Sequence, residues 1–275
     1  MKTKLNEQIG LFGILILFVH LAYTQSRSEL LLPYLQADSL AANTTINKNL
    51  KAAIPLQPHF QKYVHHYLNE NAAMLEHIKE NNTAKFATIQ KILVKNGIPA
   101  EMMYLAVIES ELKNSATSHV GAAGIWQLMP ETATTFGLKV NRKNDERRQT
   151  SQSSIAAAAY LTELYNQFDD WLLVVAAYNC GAGKVFKAIK QSGSRDFWKL
   201  QAFLPAESRC HVKHFIATHF YYEKTGSIVT ITKKERVRYL ASLNEIAVKK
   251  AELKAGITAD SSNQSTSAAA LVSLQ

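Results

Sequence analysis

From Pro58 to Glu223 the apolar residues recur every three or four positions, and this spacing restricts the fold more than any other feature of the chain. Phe60, Tyr63, Val64, Tyr67, Leu68, Met74, Leu75 and Ile78 make one stripe of an amphipathic helix. Phe86, Ile89, Ile92 and Leu93 make a second, which stops at Asn96-Gly97 before Pro99 opens a third. Further helices are expected at 130–136, 152–167, 169–179, 182–191 and 206–223, separated by breaks containing Gly or Asp. Only SIVTIT at 227–232 reads as a strand. The expected class is all-α.

The flanks have a different character. Lys2 and Lys4 precede the apolar stretch IGLFGILILFVHLAY, which is too short for a comfortable membrane span and is followed by polar TQSRSE. That is the layout of a secretory signal peptide over 1–24, so export to the periplasm or cell envelope is expected, with the leader cleaved near Thr24 or kept as an anchor. No Cys follows the apolar stretch, so no lipid-modified N-terminus is expected. Residues 25–57 read as an extended lead-in, 58–98 as an N-terminal helical segment, 99–225 as the main domain and 226–257 as a short C-terminal extension. Residues 258–275, rich in Ser and Ala, read as a disordered tail.

The 275 residues are 47% hydrophobic and 19% charged, enough for one domain with a sizeable core. The net charge of +9 suits either an anionic partner or a generally basic surface, and its densest run is NRKNDERR at 141–148. Among anionic partners, nucleic acid is set aside, because no recognition motif is present and export is incompatible with it. Cys180 and Cys210 stand in no metal-like spacing, so no zinc site, other metal or cofactor is expected, and the favoured reading is two buried free thiols over a single bridge.

One carboxylate sits oddly in this pattern. The helix expected over 100–113 is apolar at Met102, Met103, Leu105, Ala106, Val107, Ile108 and Leu112, so Glu109 lies among oily neighbours with no cation on its own helix. In such a setting a carboxyl group keeps its proton and can serve as a general acid. Glu111 lies ~200° further round and cannot share its face. Periodicity alone also allows a solvated or paired Glu109. After this helix, GAAGIWQLMP has Gly121 and Gly124 in a turn that can bring backbone close to an extended ligand, followed by Trp126 and Gln127. A ring and an amide suit a sugar cleft, although a helix-to-helix turn with a core Trp would read the same. AAYNCGAG repeats the device, a helix ending in Tyr178 and Asn179 before Gly181 and Gly183. Tyr178 could equally be a core aromatic.

In order and at these separations, ESEL, GAAGIWQLMP and AAYNCGAG resemble the catalytic domain of lytic transglycosylases of the soluble-type (SLT) superfamily, related to goose-type lysozyme. The likeness extends through GIPAEMMYLAVIES, FGL, DERR, FWKL and LPAESRCHV, and is nearest to the membrane-bound D type over 58–223. It implies a lysozyme-like helical domain with an N-terminal helical extension, acting on peptidoglycan glycan strands without a cofactor. By this resemblance Glu109 is the catalytic acid and then base. Ser110, Gly124, Trp126 and Gln127 line the cleft, Tyr178 hydrogen-bonds near the Glu109 carboxyl, and Asn179 and Glu207 shape the cleft wall. The implied product is a 1,6-anhydro end, with a hydrolytic muramidase and a non-catalytic glycan-binding protein of the envelope as the other readings. Two departures stand out. The segment that usually reads Glu-Thr-Arg-x-Tyr-Val has His211 in place of Tyr, and no LysM repeat is seen.

Overall fold

The structure is a computed structural model in which residues 54–249 are described. The expected leader at 1–24, the lead-in as far as residue 53 and the tail at 258–275 lie outside the described residues.

Helix α1, Pro58–Asn81, starts with a proline, whose missing N–H would have no partner in the first turn anyway. Helix α2, Thr83–Lys95, ends as expected at Asn96-Gly97, where Gly97 takes φ +72° and Ile98 N–H bonds back to Leu93 O at 2.9 Å. A tight turn at Ala100–Met102 leads into α3, Met103–Ser110. This helix is a turn shorter than periodicity suggested, because Glu111 and Leu112 both adopt left-handed backbone at φ 55° and 59°. The break is held from outside: the Leu112 side chain is fully buried and Lys85 Nζ donates to the Leu112 carbonyl at 2.7 Å.

The remaining helices are α4 (Pro130–Thr135), α5 (Thr150–Phe168), α6 (Trp171–Cys180), α7 (Ala182–Ser192), α8 (Phe197–Leu200) and α9 (Ala206–Glu223). Every residue of α6 from Trp171 to Ala177 is buried, so this helix has no solvent face and must be enclosed by others. It packs against α5, α7 and α9, and α9 in turn packs on α1 and α3 while α2 lies on α5. The all-α class is therefore what the described residues adopt.

The strand expected at 227–232 is not formed. No neighbouring strand is available to pair with it among the described residues, and local bonds take up its backbone groups instead: Ser227 N–H donates to the Thr230 hydroxyl oxygen at 2.9 Å, and Thr230 N–H to the Ser227 backbone carbonyl at 3.0 Å. The segment ends in a capping box. Thr232 N–H donates to Glu235 Oε2 at 2.8 Å and Glu235 N–H reaches Thr232 Oγ1 at 3.4 Å, opening a helix, α10, over 233–249. The Thr-x-x-Glu spacing was present in the sequence, but the reading of 226–257 as a short C-terminal extension named no helix there.

Asp170 joins this extension to the core. One of its carboxylate oxygens accepts the N–H groups of Leu172 and Leu173 at 2.9 and 3.2 Å, capping α6, and the other accepts Lys233 N–H at 2.5 Å. Burial pushes this carboxyl up to about 6, against the three N–H groups that favour its charged form. The folded protein thus holds the Asp170 proton more tightly than the unfolded chain does. Its contribution to stability therefore declines as pH rises from about 4 to about 6 and is level above that. Asp170→Asn keeps one capping oxygen, loses the Lys233 bond at every pH and removes the titration. Compared by urea midpoints, the mutant should be further below wild type at pH 4 than at pH 7, the difference being on the order of 3 kcal/mol. A deficit that does not change with pH would contradict this account of the buried cap.

Candidate active site

Glu109 occupies the last turn of α3 with its side chain 15% exposed. The sequence offered it no cation on its own helix, and the structure supplies a partner from elsewhere: His211, in the second turn of α9, places Nε2 3.2 Å from Glu109 Oε1. The pair is close but misaligned, and Nε2 is buried without a hydrogen-bonded partner. Glu111 turns away as expected and pairs with Lys113 at 2.7 Å in a largely solvated position.

Behind Glu109 the Gly-rich loop is locked from several sides. Ser110 Oγ donates to Ile125 O at 2.8 Å, so this serine is a buried latch between α3 and the loop and not an open wall of a cleft. Gly124 sits at φ +77° against the backbone of Arg147, where an added Cβ would fall 1.8 Å from the Arg147 carbonyl oxygen. Only glycine fits there. Gln127, at φ 45°, turns its amide back to donate to Gly124 O at 2.8 Å. Arg147 then clamps the loop. Its guanidinium forms two parallel bonds with Asp145, both 2.8 Å, and donates to Gly121 O at 2.8 Å and Leu128 O at 3.0 Å. The Arg147 side chain is 8% exposed, and its hydrogen bonds hold the Asp145 carboxyl below the usual carboxylate range. Arg148 is spent similarly, donating to Ser115 O at 2.8 Å and Thr117 Oγ1 at 2.7 Å. The densest charge run of the sequence therefore keeps two of its arginines for internal loop carbonyls and hydroxyls, where they do not serve an anionic partner.

The assignment of Trp126 to the sugar cleft is corrected. Its ring is fully buried and its Nε1–H donates to Ser154 Oγ on α5 at 2.9 Å, so no face is left for a pyranose. The tryptophan is the core anchor of the loop, the alternative its sequence context left open. Tyr178 is also redirected. Its hydroxyl donates to Trp126 O at 2.7 Å and not to Glu109. Burial drives this phenol well above its ordinary range, with the charge of nearby Glu109 adding to the effect. Asn179 Oδ1 accepts from Ser208 Oγ at 2.7 Å, fastening the C-terminal end of α6 to the start of α9. Glu207 stands exposed in the first turn of α9. Gly181, at φ +87°, makes the turn into α7.

Four segments thus meet around one carboxyl group: the end of α3, the Gly-rich loop, the end of α6 and the start of α9. The sequence and its resemblance named a residue in each of the four, Glu207 standing for α9, but missed the contact made by His211, for which the only signal was a histidine where the resemblance has tyrosine. Both cysteines are free thiols, as favoured, but only Cys180 is even partly covered and Cys210 is exposed. A separate cavity of about 220 Å³ is lined by Ile54, Leu56, Gln57, Ile231, Glu235 and Tyr239, none of which belongs to this site.

Comparison with known proteins adds three findings. The model of the transglycosylase SLT domain matches residues 87–201, which include Glu109, the Gly-rich loop and Tyr178-Asn179 but end before α9. The chain is 37% identical over 177 residues to membrane-bound lytic murein transglycosylase D of Escherichia coli, covering 62% of this chain and 38% of that protein. It is 31% identical over 151 residues to an Alteromonas protein named for resistance to tributyltin chloride, covering 54% of this chain and 69% of that one. Among solved structures, the 70 kDa soluble lytic transglycosylase of Escherichia coli matches at TM-score 0.49 and 22% identity, over 67% of this chain and 33% of that one.

The loop geometry separates two glycines that look alike in the sequence. Gly121 is also left-handed, at φ +89°, but nothing lies within 4 Å of where its Cβ would be. Gly121→Ala should cost about 1 kcal/mol in chemical denaturation, the strain of the backbone alone. Gly124→Ala should cost more than about 3 kcal/mol or fail to fold, because backbone meets the new methyl. Equal costs would contradict the clamp described here.

Proposed function

From the premise that this chain belongs to the transglycosylase SLT domain family, we propose that it is a lytic murein transglycosylase, with Glu109 as the one group that moves protons. The observation that carries the reading is the placement of Glu109: a largely buried carboxyl at the end of α3, facing the meeting point of the Gly-rich loop, α6 and α9. The chain spans 38% of the length of the Escherichia coli relative, so activity and substrate are taken as properties of this domain and tested on it directly.

In this reading Glu109 gives its proton to the glycosidic oxygen between N-acetylmuramic acid and N-acetylglucosamine as the bond from that oxygen to C1 breaks. The carbonyl of the substrate's own N-acetyl group supports the positive charge that develops at C1. The C6 hydroxyl of the muramic residue then closes onto C1 and returns its proton to Glu109, which leaves a 1,6-anhydro end and restores the acid. No water is consumed. A second protein carboxylate, which most glycosidases need as nucleophile or base, is dispensable on this route. Glu111 is turned to Lys113, so it does not supply one. Gly124 and Gln127 fix the loop backbone beside the reacting bond, and Asn179 and Glu207 border the glycan from α6 and α9. The leader expected at 1–24 would deliver the domain to the cell envelope, where peptidoglycan is found.

Glu109→Gln should keep the fold by circular dichroism and melting and lose ~10²-fold or more of the cleavage rate, the scale of general acid catalysis. Glu111→Gln should stay near wild type. The products come from mass spectrometry of muropeptides released from purified cell wall. Anhydro-terminated fragments support the proposal. Reducing ends would identify a hydrolytic muramidase, and binding without release of fragments would identify a non-catalytic glycan-binding protein.

A further inference from the structure

Resting on that reading of the site, we propose that the exposed face of α7 is a cationic subsite for the stem peptides of peptidoglycan, so that the domain takes peptide-bearing glycan strands in preference to bare ones. Charge is distributed unevenly around the site. Residues 181–213, which form α7, α8 and the first turns of α9, carry seven Lys or Arg against two Asp or Glu, a surplus of +5 in a chain whose whole net charge is +9. Residues 100–180, which supply α3, the Gly-rich loop, α5 and α6, carry six against nine.

The positive groups after Gly181 are also the ones left free. Lys184, Lys187 and Lys190 on α7 and Lys199 on α8 are exposed, and none makes a side-chain hydrogen bond or ion pair among the described residues. No acidic residue shares α7 with its three lysines. Cations elsewhere are committed: Arg147 and Arg148 hold the Gly-rich loop, Lys85 donates to Leu112 O, and Lys233 and Arg236 of α10 pair with Asp169 at the far end of α6.

Local structure aims the three lysines. Val185 and Ala188 are the buried positions of α7, which packs on α6, α8 and the turn at 201–203. At 100° per residue, Lys184, Lys187 and Lys190 fall within an outward arc of about 120°. The row begins at the site itself. Gly181, at φ +87°, turns the chain from Asn179 at the end of α6 straight into α7, and Lys184 stands three residues on, ~5 Å along the axis. Lys190 lies ~9 Å further.

A stem peptide hangs from the lactyl group of a muramic residue and carries free carboxylates, so a strand seated at Glu109 presents acidic groups beside this row. One exposed ammonium gains little from one carboxylate. Three in a row, with no acid among them, attract an acidic peptide together and raise its encounter rate. Such contacts are as good before bond cleavage as during it, so they act on KM and not on kcat.

The test measures kcat and KM for fragment release from soluble glycan strands that keep their stem peptides and from the same strands stripped of peptide by an amidase. Wild type should show a KM about tenfold lower on peptide-bearing strands at low salt, and the difference should fade toward ~1 M salt as the charges are screened. Lys184→Gln/Lys187→Gln/Lys190→Gln changes exposed side chains only, so its melting temperature should hold while the KM difference falls to within about twofold. Lys91→Gln/Lys95→Gln/Lys234→Gln removes the same charge from exposed positions on α2 and α10 and should keep the preference. A preference that survives in the first variant, or falls equally in both, would overturn the proposal. So would a first variant that loses binding to vesicles of phosphatidylglycerol and phosphatidylcholine while its glycan preference stays, since the face would then belong to an anionic membrane. Binding of fluorescent strands to Glu109→Gln separates this subsite from the proposed chemistry. Lysine-dependent binding of peptide-bearing strands, with no fragments released by wild type, would keep the subsite and overturn the proposed function; cleavage of both strands at equal KM would do the reverse.

Discussion

A helix with no polar face cannot sit at a surface, and α6 has none from Trp171 to Ala177. Its enclosure by α5, α7 and α9 is the condition on which the rest of the structure depends. Its two ends inherit different tasks. At the N-terminal end Asp170 ties the backbone of α6 to Lys233, so the capping box of α10 is joined to the core through one buried carboxyl. At the C-terminal end, where apolar residues give way to Tyr178 and Asn179, the side chains fasten the two structures next to the Glu109 carboxyl: the Gly-rich loop through Trp126 O and α9 through Ser208.

The loop illustrates how a protein holds irregular backbone in place. Its Gly121 carbonyl lies outside any helix or sheet, its Leu128 carbonyl accepts one backbone N–H, from Ala123 at 3.1 Å, and leaving such groups buried and unsatisfied would be costly. Arg147 meets both with one guanidinium while Asp145 neutralises its charge. A buried ion pair of this kind is weak evidence for net stability, but losing one partner costs ~3–5 kcal/mol because the other charge is left without compensation. Its main effect is on shape. The same backbone comes so close to Gly124 that no side chain can be accommodated, and Gln127 completes the turn on Gly124 O. Several residues that a motif reading assigns to substrate are therefore occupied in holding the loop still.

Glu109 is the exception within its helix. Ser110 is tied down, Leu112 is buried and Glu111 turns outward, while Glu109 keeps a carboxyl group whose nearest polar company is a histidine from α9. Two successive left-handed residues end α3 immediately after it, a conformation of the kind retained where the surroundings enforce it. Lys85 and the burial of Leu112 supply that enforcement.

The all-α class, the helices near their observed limits, the break at Asn96-Gly97 and the divergence of Glu109 from Glu111 were all legible in the sequence, because helical periodicity, glycine and proline act within a few residues. The sequence also singled out Gly124, Gln127, Tyr178 and Asn179, through the family resemblance that their segments carry. It misjudged SIVTIT, since a strand exists only if another strand pairs with it, and it passed over the Thr232–Glu235 capping box. What only the tertiary structure decided is which side chains meet: Trp126 against Ser154 in the core, Tyr178 on Trp126 O, Arg147 on the loop carbonyls and His211 on Glu109. Each of these joins residues from different elements. Such contacts are set by how the helices pack around α6, and no local pattern in either partner carries that information.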